Sequence, residues 1–349
     1  MPWANGKTRG KTTWVAVATL CVAFRCDGAR GQEPPEASRQ KIVANTNLVV
    51  LPVTVKDGTG NLVPGLTAAD FRVFEDGREQ TIAAFSAESM PLSIVVLVDD
   101  DLKAQDARAM APSLRAILAG ISASDEARVC RFDLEFYPDQ GFTANGDHLL
   151  GELKDAQEAS KERPPVFVPW KSSPSDHPRG IGEPPMIEAP VNLGSRPTKA
   201  LDDAVYAAAE FLKARGRERR KIVLLVSDGI NGPEFNKHKY EEVVGELLAG
   251  NVSVFSVGVG GTSYHERFAR LRDYASESGG DVYYAREERM MEQLYARITE
   301  EARHEYTLAY EPRGALGGVK YHEVKVKVRR EGMVVNTREG YYEDQRTKE

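Results

Sequence analysis

Three places in the sequence gather oxygen-bearing side chains that could do chemistry. Asp99, Asp100 and Asp101 close one apolar run, Thr198 opens a stretch of helical spacing, and Asp228 with Gly229 closes a second apolar run. Carboxylates and hydroxyls are hard oxygen ligands, suited to Mg2+, Mn2+ or Ca2+ rather than to zinc. Asp99, Asp101, Thr198 and Asp228 are therefore the candidate ligands of a divalent cation, with Mg2+ the first expectation. Asp100, Lys103 and Gly229 border the same place as candidate ligand-contacting residues. Lys103 pulls the other way. An ammonium beside three carboxylates is drawn to the position a divalent ion would take, and one opposed pair about 4 Å apart is worth roughly 4 kcal/mol before desolvation. Either Lys103 forms an internal salt bridge in the metal's place, or it turns to solvent and Asp101 coordinates directly.

These residues can meet only if the elements carrying them belong to one sheet. The runs 93–98 and 221–226 are apolar throughout, as in strands buried on both faces. Further strand patterns fall at 128–136, 252–259 and 281–285. Helical spacing covers 102–120, a stretch from near 147 to 159, 198–214, 240–249, 266–277 and 287–303. In the third of these, Leu201, Val205, Ala208 and Leu212 share a face. Strands alternating with helices predict an α/β fold with a doubly wound, mostly parallel sheet, whose ligands bind beyond the carboxyl ends of its strands.

Both flanks are β in pattern. Before the α/β block come 48–55, 71–74, the hairpin dipeptide Asp76-Gly77 and 80–85. After it come 306–310, the alternating stretch 321–329, a turn at Glu331-Gly332, 333–336 and 340–342. Each flank is too small to close a core alone, so the two are expected to form one small split antiparallel β-sandwich around the inserted block. The resulting divisions are 1–31 leader, 32–44 linker, 45–90 first sandwich part, 91–303 α/β domain, 304–343 second sandwich part and 344–349 tail.

In the leader, Lys7, Arg9 and Lys11 precede an apolar run at 14–24, the pattern of a secretory signal peptide. The run is about half of the ~20 residues that span a bilayer, so no stable transmembrane span is expected and the protein is assigned to the periplasm, cell envelope or exterior. Nine of the 19 prolines fall within 164–197, an insertion that reads either as a surface excursion or as a ligand-facing lid. Cys21 and Cys26 leave with the leader, and Cys130, inside a strand pattern, reads as a small hydrophobe.

Composition agrees. The 349 residues, 41% hydrophobic and 28% charged, suit about two globular domains and exclude a disordered or multi-span membrane chain. A net charge of −6 leaves no footprint for nucleic acid. The basic stretch 215–221 joins a helix to a buried strand and reads as a solvated connector. The six histidines are scattered, with no metalloprotease pair and no local thiol–imidazole arrangement.

The order of apolar strand plus Asp99, helix-initial Thr198, and apolar strand plus Ser227-Asp228-Gly229 resembles the von Willebrand factor type A domain. The resemblance continues through 252–260 and 271–284. The flanking segments 53–57, Gly65-Leu66-Thr67, Asp70-Phe71, Glu75-Asp76-Gly77 and the closing Gly340-Tyr341-Tyr342 are similar to the acidobacterial-type subfamily, so that the likeness covers 45–343. It implies a metal-ion-dependent adhesion site of the pattern Asp-x-Ser-x-Ser, completed by a Thr and an Asp on further loops. Asp99, Thr198 and Asp228 match that pattern, whereas Asp101 and Lys103 replace its two serines. The site is thus expected to be degenerate.

The function expected is non-enzymatic: a secreted protein that binds a protein ligand at the sheet's carboxyl edge, or a structural envelope scaffold with a vestigial site. The cluster Asp99-Asp100-Asp101 is also similar to the acidic start of a receiver domain or to the Asp-x-Asp of a Mg-dependent phosphatase. The first lacks a correctly spaced acceptor, because Asp228 comes too late, and the second has Lys103 where it needs a hydroxyl.

Overall fold

The computed structural model describes residues 48–102, 120–139, 141–162, 199–259, 268–284, 288–312 and 321–342. The leader, the linker, the Pro-rich insertion, the tail, Lys103, Thr198 and most of the helix expected over 102–120 lie outside the described residues.

The chain enters through four short strands: β1 (Val49–Lys56), β2 (Phe71–Glu75), β3 (Arg78–Gln80) and β4 (Ile82–Ser86). Asp76 and Gly77 join β2 to β3 with φ of 48° and 76°, the two positive values that a tight two-residue hairpin requires. The central sheet follows: β5 (Leu92–Asp99), β6 (Glu126–Phe132), β7 (Phe136–Pro138), β8 (Arg220–Ser227), β9 (Val252–Gly258) and β10 (Val282–Tyr284). Its order is β10-β9-β8-β5-β6-β7, parallel except for β7.

Continuous apolar strands demand cover on both faces, and helices supply it. These are α1 (Gly146–Glu162), α2 (Leu201–Lys213), α3 (Tyr240–Gly250), α4 (Ala269–Ser278) and α5 (Glu288–Arg303). Alternate residues of β5 split between two cores. Ile94, Val96 and Val98 pack with Leu149 of α1 and Ile298 of α5, while Val95 and Leu97 pack with Leu201 of α2, Val243 of α3 and Leu271 of α4. The sheet is doubly wound.

The chain leaves through β11 (Tyr306–Tyr310), β12 (Tyr321–Val328), β13 (Val334–Thr337) and β14 (Gly340–Tyr342). These pair antiparallel with the entering strands in two sheets, β13-β1-β11-β4 and β14-β12-β2-β3. Val53 of β1 faces Tyr306 of β11 on one side and Thr337 of β13 on the other, so the two ends of the chain build one sandwich. Leu51, Val73, Leu308 and Val324 fill its core.

Two local expectations fail for physical reasons. The stretch 128–136 is two antiparallel strands, because the Asp133 carboxylate accepts the Glu135 N–H at 2.8 Å and turns the chain between β6 and β7. The helix expected from 198 begins at Leu201. Ala200 N–H donates to the Asp133 carbonyl at 2.7 Å and Gly232 N–H to the Lys199 carbonyl at 2.8 Å, which hold 199–200 out of the helix.

Candidate functional site at the carboxyl edge of the central sheet

The chain runs from β5 outward to β6 and later returns to lay β8 on the other side of β5, with Val98 opposite Val226. Sequence direction therefore reverses between β5 and β8, and beyond the carboxyl ends of such a pair an open α/β sheet generally places its ligands. Asp99 ends β5, and Asp228 follows Ser227 at the end of β8.

Between the two carboxylates lies a lysine. Lys199 Nζ donates to Asp99 Oδ2 and to Asp228 Oδ1, each at 2.8 Å. The side chains are 3%, 0% and 13% exposed for Lys199, Asp99 and Asp228, so solvent screens the group weakly. Ser227 Oγ also donates to Asp99 Oδ2 at 2.7 Å, and the Asp101 N–H to Asp99 Oδ1 at 3.1 Å. The Ile230 N–H donates to Asp228 Oδ1 at 3.1 Å. Gly229, with φ of 76°, turns the chain so that its N–H reaches Ser227 Oγ at 3.1 Å.

Electrostatics follow from this burial. Desolvation, reinforced by Asp228, pushes Asp99 above the ordinary carboxylate range, against the pull of Lys199 and Ser227. For Lys199, burial works against the charge, but the two carboxylates and their hydrogen bonds outweigh it and hold the ammonium above the usual lysine value.

The other expected residues divide. Asp100 turns away, accepting from Arg131 Nη1 at 3.0 Å. Asp101 is exposed at the rim. Sequence reasoning missed Lys199 and Ser227. It also missed the brace behind them, in which Asp202 accepts from Tyr274 Oη at 2.7 Å and from Asn231 Nδ2 at 2.9 Å, tying α2 to the loop after β8. The available signal was position: Lys199 adjoins the expected Thr198, and Ser227 precedes the expected Asp228.

A divalent ion needs the inward lone pairs of Asp99 and Asp228 free for oxygen coordination at about 2.0–2.6 Å. Lys199 Nζ occupies that place, so the described residues do not fit a resident metal. No group of three or more acidic, histidine or cysteine side chains is arranged to hold one among the described residues. Cys130 is buried with its thiol pushed up to about 12 by desolvation, and His148, His238, His304 and His322 each lie against a carboxylate rather than a hydroxyl or thiol. No helix among the described residues is long and apolar enough to cross a membrane.

Residues 190–297 match the family model of the von Willebrand factor type A domain, a span that includes Lys199 and Asp228. No curated relative matches the chain. Among solved structures, it is similar to an aerotolerance-related membrane protein from Bacteroides fragilis, at 11% identity and a TM-score of 0.41 over 60% of this chain and 99% of that one. It is similar to manganese-loaded TRAP protein of Plasmodium vivax, at 12% identity and a TM-score of 0.40 over 79% and 100%. It is also similar to a von Willebrand factor type A protein from Catenulispora acidiphila, at 11% identity and a TM-score of 0.41 over 86% and 76%. The identification is bounded by the matched span: residues 190–297 carry the signature of a von Willebrand factor type A domain, and the mostly parallel sheet order to which they contribute agrees with it.

Proposed function

We propose that the protein is a secreted, non-enzymatic binding protein of the cell envelope, which engages a protein partner at the carboxyl edge of its central sheet through a degenerate metal-ion-dependent adhesion site. The observation that supports this is the bonded group of Asp99, Lys199, Ser227 and Asp228. It ties the end of β5, the segment before α2 and the end of β8 into a fixed floor, and its one hydroxyl, Ser227 Oγ, is fully buried on Asp99, out of a substrate's reach. Receiver or phosphatase chemistry would need a divalent ion at Asp99, where Lys199 sits.

The same lysine favours a second reading, a structural scaffold with a vestigial edge. A buried ammonium cannot complete its coordination with a partner's carboxylate as an exposed metal would. A photo-crosslinking residue placed at Asp101, on the rim, separates the two when compared with one at exposed Val334 on the sandwich. A discrete protein adduct from the rim position alone supports edge recognition; adducts only from Val334 support the scaffold.

A further inference from the structure

A lysine between two carboxylates is by itself an ordinary ion pair. Three features make this one specific. It lies beyond the carboxyl ends of β5 and β8, at the point where the chain's direction along the sheet reverses and where an open α/β sheet generally directs ligands. It joins three separate pieces of chain, the last residue of β5, the segment before α2 and the first residue after β8, with both of its carboxylate bonds at 2.8 Å. Its own backbone is fixed from two sides, by the Ala200 N–H on the Asp133 carbonyl and by the Gly232 N–H on the Lys199 carbonyl, so the ammonium is delivered to a set position.

Charge explains what the arrangement achieves. A fully buried carboxylate facing a mostly buried one is repelled by it and resists ionisation unless a cation lies between them. A soluble divalent ion supplies that cation only when its concentration exceeds its dissociation constant. A covalently attached ammonium supplies it always.

We propose that the Lys199 ammonium is a tethered cation standing in for a divalent ion, so that the loops of the carboxyl edge are assembled at every metal concentration and any recognition there is independent of divalent cations. The inference rests on the proposed function only for the identity of the recognition surface. Assembly of the edge can be measured with no partner present.

The test uses the full chain, with thermal unfolding and calorimetric titration in EDTA, in millimolar Mg2+ and in millimolar Mn2+. Wild type should bind neither ion at this site and should shift in Tm by less than about 1 °C between the conditions. Lys199→Ser, which removes the ammonium and supplies a hydroxyl, should lose roughly 6–12 °C of Tm in EDTA. It should recover at least half of that loss in Mn2+, with a calorimetric binding signal that an added Asp99→Asn change abolishes. If Lys199→Ser does not fold in EDTA, refolding with and without Mn2+ gives the same readout. The uncharged triple variant Lys199→Met/Asp99→Asn/Asp228→Asn should fold and ignore metal. The proposal is overturned by an Asp99-dependent metal response in wild type, or by a wild-type Tm for Lys199→Ser in EDTA. It is equally overturned by a Lys199→Ser protein that neither ion rescues while the triple variant folds. None of these results touches the crosslinking outcome, so the two readings fail separately.

Discussion

The two ends of the central sheet hold the same device with different consequences. At the carboxyl edge, Lys199 bridges Asp99 and Asp228. At the opposite side, where the sandwich meets the α/β block, Lys56 of β1 bridges Asp281 and Glu301, each at 2.7 Å. The carboxylates at the sandwich side have other donors. Glu301 also accepts from Arg297 Nε at 2.7 Å and from Tyr283 Oη, and Asp281 from Asn336 Nδ2 at 3.0 Å and from the Val282 N–H at 2.8 Å. Asp281 is 29% exposed besides. Asp99, fully buried, keeps only Ser227 and one backbone N–H when its lysine is taken away. Lys56 is thus one strut among several between two parts of the molecule, whereas Lys199 is the sole cation of its pair among the described contacts. Geometry at the nitrogen does not distinguish them; the remaining partners of the carboxylates do.

The difference predicts an order of effects. Lys199→Met leaves two buried carboxylates facing each other, and breaking a buried pair from one side costs about 3–5 kcal/mol. Lys56→Met leaves the buried Glu301 paired with Arg297 and Asp281 hydrogen-bonded and partly hydrated, for an expected loss of about 1–3 kcal/mol. Urea unfolding of both variants in EDTA measures the two losses. Equal losses, or a larger one for Lys56→Met, would break the comparison.

How far the sequence revealed this follows from what each part depends on. The central strands were legible because burial on both faces leaves a continuous apolar run, as in β5 and β8, and the sandwich was legible because β12 alternates. Asp99 and Asp228 were legible as strand ends. The lysine was not. The acidic floor suggested a lysine in the metal's place, but the spacing after Asp99 pointed to Lys103, which lies outside the described residues. A helix starting at 198 would have put Lys199 in its first turn. The tertiary hydrogen bonds to Asp133 and from Gly232 hold 199–200 out of the helix and set where the side chain starts, and no local pattern encodes them.

A third carboxylate sharpens the comparison through pH. Asp125, just before β6, accepts from Arg303 Nη2 and the Ser122 N–H at 2.7 Å and from the Leu92 N–H at 2.8 Å. Burial acts to raise its pKa, but these donors outweigh it and hold it below the ordinary 3.8. A carboxyl depressed in the folded state stabilises fully above its unfolded value, and the contribution fades as pH falls through the folded value. Asp125→Asn should therefore cost about 1 kcal/mol near neutrality, after allowance for solvent screening. The gap to wild type should close as pH falls below about 4. A gap independent of pH would mean that packing, not charge, makes Asp125 stabilising.

The smallest effect is expected where the geometry looks best. Arg72 and Glu79, on neighbouring strands β2 and β3, form a bidentate pair with Arg72 Nε donating to Glu79 Oε1 at 2.8 Å and Nη2 to Oε2 at 2.6 Å. By distance alone this pair matches the lysine bridges, and it adds the parallel fork of a guanidinium on a carboxylate. Its side chains are 43% and 47% exposed, however, so water solvates each charge nearly as well when the pair is broken, and salt screens what attraction is left. Glu79→Gln should leave the urea midpoint unchanged within error at physiological ionic strength. A loss comparable to that of Lys56→Met would show that bond geometry outweighs burial in this protein, and the contrast between the two lysine bridges would then need another cause.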